Sequence, residues 1–245
     1  MDLQQIAALL EPFVISPSLS SRKGGSPEEP TVLTQVQLQQ IANYLDLLLR
    51  WNSRINLTAV REPEEIVTRH FGESLFAARN LFPSARQSGN EPLSFPQWSG
   101  LSEHPRVFDF GSGAGFPGLP IKIWAPPIEL TLIESNQKKA TFLREVIRTL
   151  SLASAVVFLG RSQNFSRQAD VVTLRAVERF ESSVAVAAGM VGLQGKLALL
   201  IGQAQAMRAR ELVANFRWQE PVPIPMSSNR ILLIGHSKSP TNQTG

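Results

Sequence analysis

The residues whose types and spacing could do chemistry lie between Arg106 and Glu134. Asp109 sits in a short apolar run, RVFDF, and Gly111, Gly113, Gly115 and Gly118 follow it closely. β-prone residues before a glycine cluster predict a strand that feeds a tight turn, and LPIKIWA after it predicts a helix. Strand, glycine turn and helix build a nucleotide-type pocket at the carboxyl end of a strand. Gly113, Gly115 and Gly118 match G-x-G-x-x-G, and Glu134 follows Gly113 by about 20 residues, where an acid accepts hydrogen bonds from ribose hydroxyls. The pattern leaves three readings open: a dinucleotide, S-adenosylmethionine, or a turn that holds no ligand. Two local features favour S-adenosylmethionine. A carboxylate at Asp109 would repel a pyrophosphate but not an ammonium or a sulfonium. Pro117 and Pro120 supply no N–H groups, which makes the helix start a poor anion cradle.

The elements that must position this turn alternate. Strands are expected near residues 106–110, 129–134, 155–159, 169–174, 196–201 and 230–236. Helices are expected near 118–125, 137–150, 179–190 and 203–214. Such alternation predicts an α/β fold with a mostly parallel sheet covered on both faces. The Pro-rich link PVPIP before the last strand predicts an antiparallel end to that sheet. Upstream, Thr34 is placed to cap a helix over 35–53, whose Leu38, Ile41, Leu45, Leu48 and Leu49 share one face. A second helix is expected from Pro63 to about Leu81. Four regions follow: an N-terminal extension over 1–33, partly flexible and with a possible short helix at 2–12; a helical cap over 34–82; a loop insertion over 83–105; and the main domain over 106–245.

Composition narrows the function classes. A chain of 245 residues with 43% hydrophobic residues can bury a substantial core. The formal net charge of +4 is compatible with an anionic partner without requiring one. The chain has no cysteine and three histidines, which excludes disulfides and cysteine nucleophiles and argues against a zinc site. No metal is expected. The N-terminus lacks a basic region before an apolar stretch, and no window is apolar enough for a membrane span. A cytoplasmic protein without a membrane partner is expected.

Three segments carry a family resemblance. DFGSGAGFPGLPIKI, LIESNQKKATFLREVIRTLSL and WNSRINLTAVREPEEIVTRHFGESL together resemble the bacterial 16S ribosomal RNA guanine-N7 methyltransferase G family. The resemblance covers about Leu38 to Ile234, apart from the insertion. It implies a class I, S-adenosylmethionine-dependent methyltransferase fold, Rossmann-like, with an N-terminal helical cap. The implied substrate is a guanine in the 530 loop of 16S rRNA, met as RNA or as the small ribosomal subunit.

Carried over by position, Gly111, Gly113 and Phe116 line the cofactor pocket with Asp109, and Glu134 holds the ribose beside Ser135. The segment around Ser162 and Gln163 meets the adenine. Arg175, in TLRAV, lies near methyl transfer and is the catalytic candidate. Arg69, His70, Lys138, Lys139 and Arg161 are the candidates for RNA contact, with a half-buried, hydrogen-bonded histidine as the simpler role for His70. The chain departs from the family pattern at Gln163 and Asn164, at Ile201 where a lysine is usual, and at Glu73 where Asp is usual. On residues alone, an NAD-dependent oxidoreductase and a non-catalytic RNA-binding module on the same fold remain alternatives.

Overall fold

The computed structural model describes residues 1–15, 33–83, 101–161, 165–175 and 179–238. Four helical pieces come first: α1 (Leu3–Val14), α2 (Gln35–Asn52), α3 (Pro63–Ile66) and α4 (Glu73–Leu81), with a π-helical turn, Val67–Gly72, between the last two. Then come β1 (Arg106–Phe110), α5 (Gly118–Trp124), β2 (Glu129–Glu134), α6 (Gln137–Thr149), β3 (Ala155–Leu159), β4 (Ala169–Arg175), α7 (Phe180–Gly189), β5 (Val191–Gly202), α8 (Ala206–Leu212), β6 (Phe216–Trp218), β7 (Val222–Pro223) and β8 (Arg230–Ser237).

The strands form one sheet in the order β3-β2-β1-β4-β5-β8-β6, with β7 also paired to β8. β1 to β5 are parallel, and β8 runs antiparallel between β5 and β6. The antiparallel end expected from the sequence is therefore present. Part of PVPIP, expected as a link, is strand β7, and Pro223 is tolerated there because β7 lies on an edge.

Side-chain caps set the helix starts. Asp2 accepts from the Gln5 amide, and Thr34 from the Gln37 amide, each in a reciprocal capping box. Gln37 does a second job. Its Nε2 donates to the Ile123 carbonyl at 2.8 Å and so ties α2 to the end of α5. Asn136 caps α6 by accepting from the Lys138 and Lys139 amides.

Two buried clusters lie on opposite faces of the sheet. One joins α1, α2, α4, α5 and α6 to the strands, and the other lies under α7 and α8. The cap and the sheet domain thus share one core, because the apolar faces of α2 and α4 find their partners on the sheet side. This corrects the expected division at the N-terminus. α1 is part of that core rather than an extension: Ile6, Leu10, Phe13 and Val14 are buried, and the Arg79 guanidinium donates to the Ile15 carbonyl at 2.5 Å. Residues 16–32 and 84–100, expected as a linker and as most of an insertion, lie outside the described residues. No helix among the described residues is long and apolar enough to cross a membrane.

Leu10 is fully buried, so Leu10→Ala is expected to lower stability by about 2–4 kcal/mol. A denaturant midpoint that does not move would mean that α1 is only loosely attached.

Candidate active site

The site begins at the carboxyl end of β1. Gly111 and Gly113 take φ of +66° and +57°, a backbone region that disfavours side chains. The turn is braced from β2. Ser112 N–H donates to the Ile133 carbonyl at 3.1 Å, and Gly113 N–H donates to Glu134 Oε2 at 2.8 Å. Glu134 Oε1 accepts from the Asn136 amide at 2.7 Å. Among the described residues, a Cβ on Gly113 would meet only the Gly111 carbonyl, at 3.8 Å, so they leave the space above this turn open. The other two glycines serve packing. A Cβ on Gly115 would lie 2.5 Å from both Tyr44 Oη and Leu119, and one on Gly118 would lie 2.7 Å from Asp109 Cβ.

Asp109 is fully buried beneath the turn. Its Oδ1 accepts from Thr173 Oγ1 at 2.8 Å, and burial pushes its pKa up to about 6. Asp109, expected among the cofactor contacts, packs its carboxyl under Gly118.

The cap clamps the far side of the turn through aromatic rings. The Tyr44 hydroxyl donates to the Ala114 carbonyl. Tyr44 and His70 both stack on Phe116, with ring centroids 5.4 and 5.0 Å away, and Phe71 meets Phe116 edge-on at 5.1 Å. Phe116, expected to line the pocket, is buried in this cluster and locks the cap to the turn instead.

Beside the rings lies a buried charge network. Glu73 Oε2 is 3.0 Å from an Nη2 of both Arg175 and Arg230, and its side chain is 3% exposed. Arg175 Nη2 also donates to the Arg69 carbonyl at 2.8 Å and lies 3.1 Å from His70 Nδ1. The opposite ring nitrogen, Nε2, is 2.7 Å from Thr58 Oγ1. The π-helical turn explains how Arg175 reaches backbone inside a helical run. Its wider winding aims the Arg69 carbonyl at the guanidinium, while Ser74 Oγ donates to the His70 carbonyl. Burial and the positive charges of Arg175, Arg69 and Arg230 push the His70 pKa down to about 3. Burial likewise lowers Arg175 to about 10 against the opposing pull of Glu73.

Comparisons with known proteins decide the family. The model of the family described as rRNA small subunit methyltransferase G matches residues 37–88 and 94–229. This chain belongs to that family. It is 36% identical over 222 residues to ribosomal RNA small subunit methyltransferase G of Roseiflexus castenholzii, covering 85% of this chain and 87% of that protein. The protein of the same name from Streptococcus pyogenes serotype M5 is 31% identical over 231 residues, covering 87% and 89%. Among solved structures, M. jannaschii TYW2 in complex with AdoMet aligns with a TM-score of 0.46 and 15% identity, over 56% of this chain and 69% of that one.

Within this methyltransferase fold, the predicted site residues fall into groups. Gly111, Gly113 and Glu134 come together at the open turn, with Ser135 exposed next to Glu134. Arg175 and His70 are brought together, but both are engaged with protein groups. His70, a candidate for RNA contact with a hydrogen-bonded histidine as its simpler role, is half-buried with Thr58 and Arg175 on its two ring nitrogens. Arg69, Lys138 and Arg161 are exposed and Lys139 is half-buried, and Arg69 pairs with Glu65 at 2.7 Å. Ser162, Gln163 and Asn164 lie outside the described residues. Ile201, where a lysine is usual, is buried in the core under α7 and α8, so a side chain there does not face the open turn.

Tyr44, Thr58, Glu73 and Arg230 were not singled out as site residues from sequence. Glu73 carries a signal, an acid inside the otherwise apolar run FGESLFAA. Tyr44 carries one too, as the chain's one tyrosine on an apolar helix face. Arg230 carries none, because only strand register sets it beside the ends of β4 and β5.

Replacing Glu73 by Gln leaves two guanidiniums without their carboxylate. Glu73→Gln is expected to cost about 3 kcal/mol, measured by denaturant unfolding, and an unchanged midpoint would contradict the network. His70 is expected to stay neutral down to below pH 5 in an NMR titration; a ring titrating near 6.5 would contradict its burial. Because its folded pKa lies below its unfolded value, the unfolded chain binds the extra proton. Stability contributed by neutral His70 is therefore present above about pH 6.5 and is lost as pH falls from there toward 3.

Proposed function

We propose that this protein transfers the methyl group of S-adenosylmethionine to N7 of a guanine in the 530 loop of 16S rRNA, met as RNA or as the small ribosomal subunit. The observation that carries the reading is the open glycine turn braced by Glu134, in a chain of the small-subunit methyltransferase family. The residues fit the cofactor. The bare backbone at Gly113 leaves room for close approach, and the Glu134 carboxylate, held by two amides, keeps lone pairs for ribose hydroxyls. When bound, the cofactor supplies an electrophilic methyl group on a sulfonium.

Guanine N7 carries a lone pair and no proton, so no general base is needed and positioning dominates. The charged side chains beside the turn are locked to one another. Arg175 and Arg230 sit at the carboxyl end of β4 and the start of β8, held by Glu73 and a cap carbonyl, and so form a rigid wall beside the turn. Neutral His70 keeps a further positive charge away from a base that becomes cationic as it reacts. N7 lies in the groove of A-form RNA that side chains cannot read, so the target guanine must be unstacked or in a loop.

Incubation with labelled S-adenosylmethionine and undermodified small-subunit RNA, free and as subunits, is expected to label one guanosine at N7. No label in any guanosine from either substrate would overturn the reading. Gly113→Leu is expected to abolish the thermal shift produced by S-adenosylhomocysteine, because its side chain fills the open turn.

A further inference from the structure

A row of basic side chains crosses the other half of the sheet. Lys196 of β5 pairs directly with His236 of β8, and His236 pairs with Arg217 of β6. Direct cross-strand partners share a face of the sheet. Lys196 alternates with Ala198 and Leu200, which belong to the core on the cap side, so the row emerges on the face that carries the cap. Lys238 extends it past the end of β8. A groove of about 440 Å³ is lined there by Gln194, Arg217, His236, Ser237 and Lys238.

Among the described residues the row has no counterion. Among the described residues, the ion pairs are made by Arg69, Arg106, Arg175, Arg208 and Arg230; Lys196, Arg217 and Lys238 make none. Asp170, next to the strand partner of Lys196, is committed to Arg106, whose amide its Oδ2 accepts at 2.8 Å. Lys196 and Arg217 lie on the two strands that flank His236, so their positive charges repel each other across it. Burial first, then the charges of Lys196 and Arg217, push the His236 pKa down. The scaffold nevertheless holds the row in place. A Cβ on Gly235 would lie 2.7 Å from the Trp218 ring, and Trp218 Nε1 donates to the Val213 carbonyl, so β6 is packed tightly on β8.

We propose that Lys196, Arg217 and Lys238, with His236 between them, form a second contact for the phosphate backbone of the substrate RNA, apart from the glycine turn. This rests on the reading of the protein as an RNA methyltransferase. Lys196 lies about 13 Å along β5 from Leu200, the strand partner of Arg175, at about 3.3 Å per residue. Ala198, Leu200, Leu232 and Ile234 are buried between the two places, so a strand of RNA whose target base enters beside Arg175 reaches this row by passing outside the sheet edge formed by β6 and β7. A polyanion relieves the cross-strand repulsion, and phosphates are recognised without regard to sequence. The row supplies grip and register; base choice is left to the site at the turn.

The test uses the full chain, with undermodified small-subunit RNA as the probe. Arg217 and Lys238 are exposed, so Arg217→Ala/Lys238→Ala is expected to fold normally. Its RNA affinity is expected to fall about tenfold, and the slope of log affinity against log salt to flatten by roughly 0.7 for each lost phosphate contact. S-adenosylhomocysteine binding and kcat at saturating RNA are expected to stay unchanged while KM for RNA rises, and Arg217→Lys is expected to retain the slope. Lys238→Ala alone serves if the double variant fails to fold. Unchanged affinity and salt slope in variants that still methylate would overturn this contact while leaving the methyltransferase reading intact. An unaltered chain that methylates no RNA would instead overturn the underlying reading.

Discussion

The Glu73 carboxylate between two guanidiniums is the contact on which the rest of the site depends. Arg175 comes from the sheet, Arg230 from the antiparallel strand and Glu73 from the cap, so one buried anion joins three parts of the chain. Two positive charges this deep are tolerable only with a carboxylate and backbone carbonyls around them. The arrangement leaves one net positive charge, and the protonation state of His70 follows from it. A second proton beside Arg175, with Arg69 and Arg230 nearby, is opposed by every neighbour that shifts the ring. The neutral ring can then stack on Phe116 and offer a lone pair toward Arg175.

That packing in turn shapes the glycine turn. Phe116 is held by Tyr44 and His70, and Tyr44 reaches the Ala114 carbonyl, so the cap grips the side of the turn opposite β2. Glu134 grips the β2 side through Gly113. Between these two holds, Gly111 is exposed and Gly113 keeps an open backbone among the described residues, while Gly115 and Gly118 allow Tyr44, Leu119 and Asp109 to close in from below. A motif that reads as four equivalent glycines is two faces interleaved, an open face and a packing face. Methyl transfer to a lone pair asks for such rigidity more than for titrating groups.

Much of this was legible because it rests on local chemistry. The alternation of strands and helices, the Thr34 and Pro63 helix starts, the glycine turn and the acid ending β2 all follow from periodicity and turn residues. The less legible features are those whose partners lie far along the chain. The sequence does not show that Thr58 and Arg175 lie on the two ring nitrogens of His70. Nor does it show that Asp109 is buried under Gly118. Both are polar side chains whose direction depends on what packs over them.

The sequence by itself determined the fold class and the place of the glycine turn, because glycine spacing, β-propensity and amphipathic period are properties of neighbouring residues, and the resemblance of three segments pointed to the family. Only the tertiary structure decided which charged groups are free to meet a substrate. Strand register placed Arg230 beside Arg175, the shared core brought Glu73 between them, and cross-strand pairing lined up Lys196, His236 and Arg217. The physical reason is that the role of a charge depends on its desolvation and on its nearest opposite charge, and both are set by contacts between residues distant in the chain.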